Sequence, residues 1–240
     1  MNTPRSAGLW LCLLLAACQR GPDPAQAAQA AAQAAAQAQA AAELEAKLEA
    51  AEQAQDWRLA KGYAEVLLAE HPASAAAARV KPRLDGLRAK AEAQAQQRRL
   101  AALWSYDDIA VPGGRQRSAA IYSQRPVDTD GRGAHPVRLI FRDHPSWGRS
   151  AYLVLQAGDF DCYRGCRLKV TLDGQAHTLP GSRPKTDEAI AMFIEDWKGL
   201  WKLAKSGREL TIEFPTKAVG RRSATFEVGG LDPARLPKWN

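Results

Sequence analysis

The chain has 240 residues, with 33 Lys and Arg against 26 Asp and Glu, and 46% of its residues are apolar. Charged residues at 25% and seven Trp exclude wholesale disorder, and a mean hydropathy of −0.37 excludes a polytopic membrane protein. The length fits one core or two unequal domains, and a surplus of seven positive charges permits an anionic partner without demanding one.

Residues 1–17 carry one cation, Arg5, then an apolar run from Ala7 to Leu15 and the small residues Ala16 and Ala17 before Cys18. That run is far shorter than the roughly 20 residues needed to span a bilayer, so it is expected to be a signal-peptide hydrophobic region. Leu15-Ala16-Ala17-Cys18 resembles the lipobox of bacterial lipoproteins. The resemblance implies thioether attachment of a diacylglyceryl group to Cys18, cleavage before it and acylation of the new amino group. Gln19, where many Gram-negative lipoproteins carry Asp for inner-membrane retention, implies export to the outer membrane, lipid-anchored and facing the periplasm.

Export changes the reading of the other cysteines. Cys12 leaves with the signal and Cys18 carries lipid, so Cys162 and Cys166 form the remaining pair, and an oxidising compartment predicts a disulfide with Gly165 turning the chain between them. The alternative is a thiol pair that exchanges disulfides or binds copper, as Cys-x3-Cys does in some copper-delivery proteins. That reading needs a nearby Met or His, and the local sequence supplies none.

Residues 18–42 form a tether. From Ala25 to Ala42 the chain is only Ala and Gln, which gives either an exposed helix or a flexible linker, preceded by a break and helix start at Gly21-Pro22-Asp23-Pro24. Residues 43–103 keep the alanine and add apolar periodicity: Leu44 and Leu48; Leu59, Tyr63, Val66 and Leu67; Val80, Leu84, Leu87 and Ala91. Three helices are expected, with Asp56 and Ser74 as N-caps, Pro72 as a stop and Pro82 marking a kink or the first turn of the third. Asp56-Trp57, Ala60, Gly62-Tyr63-Ala64 and His71-Pro72-Ala73-Ser74 resemble tetratricopeptide-like helical hairpins; a coiled-coil-like spacer folded on itself fits equally.

Residues 104–240 read as β. Seven strands are expected at 117–123, 137–142, 150–156, 167–172, 189–194, 209–214 and 224–228, divided by turn signals of which Asp173-Gly174 is the clearest hairpin. One helix, 196–205, has Trp197, Leu200, Trp201 and Ala204 on one face and Lys198, Lys202 and Lys205 on the other. The expected class is α+β: an Ala-rich helical stalk, then an antiparallel β-sandwich with one helix. The order of elements, with the closing Ala224-Thr225-Phe226-Glu227-Val228-Gly229-Gly230-Leu231, resembles small periplasmic β-sandwich proteins, including type VI secretion accessory proteins and proteins of the invasion-associated locus B type. The resemblance implies a fold and a non-enzymatic character.

No catalytic or metal set stands out, and no cofactor is expected. His71, His135, His144 and His177 are scattered, Asp128-Thr129-Asp130-Gly131 lacks the first and last ligands of a calcium loop, and no Gly-x-Ser-x-Gly elbow occurs. Asp159 and Asp161 fall on one side of an extended chain, as a glycosidase carboxylate pair would, but turn residues are the simpler reading. Residues 19–103 hold 11 basic and 10 acidic residues and residues 104–240 hold 21 and 16, so the basic surplus belongs to the β region. Lys198, Lys202, Lys205, Arg221 and Arg222 are the expected contacts to an anionic partner, either an envelope protein or peptidoglycan; nucleic acid is excluded by compartment. The expected function is a non-catalytic binding or scaffolding lipoprotein of the outer membrane, with a secretion-accessory role as one form of it. The alternatives are an immunity or inhibitor lipoprotein that uses the loop 142–150 against a cell-wall hydrolase and, last, a peptidoglycan-active enzyme.

Overall fold

The computed structural model describes residues 23–185 and 189–239. The signal segment and Cys18 lie outside the described residues. The chain forms two compact units that divide between Arg88 and Ala89.

The first unit is helical. The Ala/Gln tract is helix: α1 runs Pro24–Gln53, with Asp23 Oδ1 accepting from Ala25 N–H at 3.0 Å and Pro24 in the first turn. Its first four turns are exposed, and only Ala41, Glu45, Leu48 and Ala51 are buried. Asp56 caps α2 (Trp57–Glu70) through Leu59 N–H, and Ser74 caps α3 (Ala75–Val80) through Ala77 N–H, as their positions in the sequence predict. Pro82 lies in a 3-10 turn, Lys81–Arg83, that separates α3 from α4 (Leu84–Ala102).

The buried stripe of α2 differs from the predicted one. Ala60, Ala64 and Leu67 are buried, while Leu59 and Val66 are each 39% exposed. Alanines let helix backbones approach closely, so the interface selects small side chains over the larger ones beside them. Ala41, Ala51, Ala76 and Ala77 join the same core with Leu48, Val80 and Leu87.

In the second unit the strands β1 (Trp104–Val111), β2 (Gly114–Tyr122), β5 (Arg138–His144), β6 (Gly148–Val154), β7 (Cys166–Leu172), β8 (Gln175–Ser182), β9 (Ala191–Ile194), β10 (Leu210–Thr216) and β11 (Gly220–Phe226) form one antiparallel sheet. Its order is β1-β2-β5-β6-β9-β8-β7-β10-β11. A two-stranded ribbon, β3 (Val127–Asp128) with β4 (Ala134–His135), lies between β2 and β5 in sequence. The sheet turns back on itself: Gln124 N–H, just past β2, donates to Thr225 C=O in β11 at 2.8 Å. Alternate side chains therefore enclose one core, among them Phe141, Leu153, Val170, Met192, Ile212 and Phe226.

The seven predicted strands correspond to β2, β5, β6, β7, β9, β10 and β11, and the predicted helix is α5 (Trp197–Ser206), capped by Asp196 through Gly199 N–H. β1 and β8 are additional strands of this sheet. β1 buries only Trp104, and β8 buries only Leu179 and Gly181 with Pro180 interrupting its pattern, so alternation marks neither. Asp173 and Gly174, at φ 46° and 86°, make the tight turn joining β7 to β8. Gly230 allows a close approach: a Cβ there would stand 2.1 Å from the backbone carbon of Leu100 in α4.

Candidate functional site

The amphipathic character of α5 is physical as well as sequential. Leu200, Trp201 and Ala204 are buried in the sheet core, Trp197 is half-buried, and Lys198, Lys202 and Lys205 are exposed. Trp239, near the end of the described chain, closes against the helix with ring centroids 5.1 Å from Trp197 and 5.0 Å from Trp201. Phe141 supports Trp201 and Trp239 edge-on from below, at 5.1 and 5.5 Å. The result is a groove of about 520 Å³ lined by Trp197, Trp201, Trp239, Lys198, Lys202, Lys205 and Arg149.

Four cations and three indoles make this lining, and among the described residues no carboxylate belongs to it. Arg149 Cζ stands 4.6 Å from the Trp197 ring centroid, Lys198 Nζ 5.4 Å from the same ring, and Lys205 Nζ 5.8 Å from Trp201. The Arg149 guanidinium also donates to Lys238 C=O at 2.5 Å, which fixes its direction. Cation–π contacts hold a charge in place without neutralising it. The arrangement therefore suits an anionic group for the cations, with an apolar or sugar surface to lie on the indoles.

The other predicted contacts lie elsewhere. Arg221 pairs with Glu213 at 2.9 Å, and Arg222 donates through Nε to Asp128 C=O at 3.0 Å and through Nη1 to Arg221 C=O at 2.8 Å. Both sit at the start of β11, whereas α5 packs near residues 228–230 beyond the end of that strand. The five residues are thus not one patch, and the two arginines are engaged by the fold. Arg149 and Trp239 complete the groove in their place. Neither was legible as a site residue, since only the pairing of β5 with β6 and the return of the C-terminal segment bring them to α5.

The remaining sequence candidates fall to structural roles. Asp159 accepts from Ala189 N–H and pairs with Arg183 at 3.2 Å and Lys217 at 2.5 Å, while Asp161 points to solvent, so they are not a carboxylate pair. Burial opposes ionisation of Asp159, but the Lys217 hydrogen bond, the Ala189 amide and Arg183 outweigh it and hold the carboxyl below the usual range. Asp128 Oδ1 accepts from Asp130 and Gly131 N–H, the hydrogen bonding of a turn. His144 Nδ1 accepts from Ser146 and Trp147 N–H, and its ring stacks on Trp147 at 3.9 Å, leaving that indole 70% exposed. Arg142 lies 5.3 Å from the same indole and 5.2 Å from Tyr152. Cys162 and Cys166 form a disulfide with Gly165 at φ 88° between them. Among the described residues no helix is long and apolar enough to cross a membrane, and no three His, Cys, Asp or Glu cluster as metal ligands.

No family model and no curated protein matches this chain. Among solved structures, the crystal structure of invasion associated protein B from Bartonella henselae is similar at 12% identity and a TM-score of 0.38, covering 57% of this chain and 91% of that one. A likeness of that size carries no argument about what this chain binds.

Proposed function

We propose that this protein is a non-catalytic binding module of the cell envelope, held at the outer membrane by lipid on Cys18, which takes an anionic envelope component in the groove on α5. The observation that carries the reading is a lining of four cations and three tryptophans gathered in one groove. Phosphate-bearing lipopolysaccharide and carboxylate-bearing peptidoglycan both supply negative charge beside sugar faces that suit indole. The lipobox-like Leu15-Ala16-Ala17-Cys18 supports the anchor, and the exposed first four turns of α1 supply a spacer of about 22 Å. A secretion-accessory role is one setting for such a module.

Two experiments test the parts separately. Palmitate labelling in cells should mark the chain and vanish in Cys18→Ala; undiminished labelling of that variant would remove the anchor. Photocrosslinking from position 202 in cells should recover an anionic envelope component. Recovery of none, together with turnover of muropeptides by the pure protein, would replace binding with catalysis.

One observation favours a second reading. Trp147 is 70% exposed at the tip of 142–150, on a loop ordered by His144. A rigid exposed aromatic is a good anchor for an enzyme cleft, as an immunity or inhibitor lipoprotein would need. Inhibition of cell-wall hydrolases by the pure protein, lost in Trp147→Ala, would shift the function to that class.

A further inference from the structure

The Cys162–Cys166 disulfide ties the start of β7 to the segment before it. Cys166 opens β7, which pairs with β8 through Cys166 and Gly181; β8 pairs in turn with β9 through Gly181 and Ile194. This register brings Met192 of β9 under the cysteine loop, with Met192 Sδ 3.9 Å from Cys166 Sγ. The soft third ligand that the sequence near the cysteines lacks is therefore delivered from 26 residues away by strand pairing.

We propose that Cys162, Cys166 and Met192, once the disulfide is reduced, form a three-sulfur site for a single Cu(I) ion. Thiolate and thioether sulfur select Cu(I) over harder cations. An ion bound to three sulfurs at about 2.3 Å in a plane spaces them about 4 Å apart, which matches the Cys166 to Met192 separation. Cys162 and Met192 are 2% and 0% exposed, so the ion would be shielded from water and oxygen, while half-buried Cys166 borders an open groove of about 810 Å³ that gives entry.

The chemistry balances with a dithiol as reductant. Attack by its thiolate breaks the Cys162–Cys166 bond, and closure of the mixed disulfide leaves two protein thiols and the cyclic disulfide of the reductant. Binding one Cu(I) then forms two copper–thiolate bonds and one copper–thioether bond and releases two protons to solvent.

The test uses the full chain with Cys12→Ser and Cys18→Ser, so that Cys162 and Cys166 are its thiols. It is reduced with dithiothreitol, desalted without oxygen and titrated with Cu(I) against bicinchoninate. The expected result is one Cu(I) per reduced chain, none on the oxidised chain, and three sulfur neighbours by X-ray absorption. Met192→Leu, a volume-conserving core change, should weaken Cu(I) binding at least tenfold and leave two sulfur neighbours. Less than stoichiometric binding by the reduced chain, or unchanged affinity in Met192→Leu, would overturn the site. Should that variant lose its native circular dichroism, the sulfur count on the chain retaining Met192 decides: three upholds the proposal and two overturns it.

Discussion

In the helical unit the arginines that reach across to another helix end on carboxylates: Arg79 on Glu45, Arg83 on Glu52 and Arg88 on Glu65. Around α5, Arg149, Lys198 and Lys205 lie over indole rings. Both arrangements place a long basic side chain: an ion pair cancels the charge, and a cation–π contact holds it against a ring face. The cores differ in the same sense. The helical core is built mostly from alanine, with backbones close together, and the sheet core from Phe, Trp, Leu and Ile, with large rings supporting the surface above them. The first unit spends its side chains on holding helices together, while the second uses part of its aromatic core to display charge.

Truncating the aromatic support should give the largest effect. Phe141→Ala removes a fully buried ring beneath Trp201 and Trp239 and should cost about 3–5 kcal/mol in denaturant unfolding followed by Trp fluorescence. A loss under about 1 kcal/mol would show that the groove floor does not depend on it. The alanine core should fail by the opposite change: Ala64→Leu, at a fully buried position, should destabilise by about 1–3 kcal/mol through overpacking, read by far-UV circular dichroism. If the same enlargement is neutral, the helices are not closely apposed there.

Charge removal should have smaller effects. Asp159→Asn should cost about 1 kcal/mol by loss of charge-assisted hydrogen bonds, a modest figure because Lys217 stands half in water. The Asp159 carboxyl is held below its ordinary value in the folded chain, so its contribution is present in full above the unfolded value near pH 4 and is lost as pH falls through the lower folded value. Unfolding measured from pH 7 downward should therefore converge for the parent and Asp159→Asn in strong acid; a constant gap would assign the effect to shape alone. Glu45→Gln should give the smallest loss, with the same sign in pH. The Arg79 hydrogen bonds hold Glu45 below its ordinary range, but Arg79 is largely exposed.

What was legible in the sequence follows the range of the forces involved. Asp56, Ser74 and Asp196 as caps and Asp173-Gly174 as a hairpin act within three or four residues, so their roles are written where they stand. Strands with alternating apolar side chains are equally local. β8 is held by its neighbours on both edges rather than by its own pattern, and the buried face of α2 is decided by how closely another helix approaches. The site divides the same way. Lys198, Lys202 and Lys205 follow from helical period, whereas Arg149, Trp239 and the approach of Met192 to Cys166 exist only after the sheet has formed. Arg221 and Arg222 read as a basic pair in sequence, and the fold gives them Glu213 and main-chain carbonyls instead.

The central claim is that the cations gathered with the indoles of the α5 groove bind, and that Arg221 and Arg222, held by Glu213 and main-chain carbonyls, do not. Binding of the labelled protein to lipopolysaccharide aggregates and to purified sacculi, at low and moderate salt, compares Lys198→Gln/Lys202→Gln/Lys205→Gln with Arg221→Gln/Arg222→Gln. The lysine triple should weaken binding at least tenfold and flatten its salt dependence, while the arginine pair should stay within about twofold of the parent. Equal loss from the two sets, or full binding by the lysine triple, would contradict the claim.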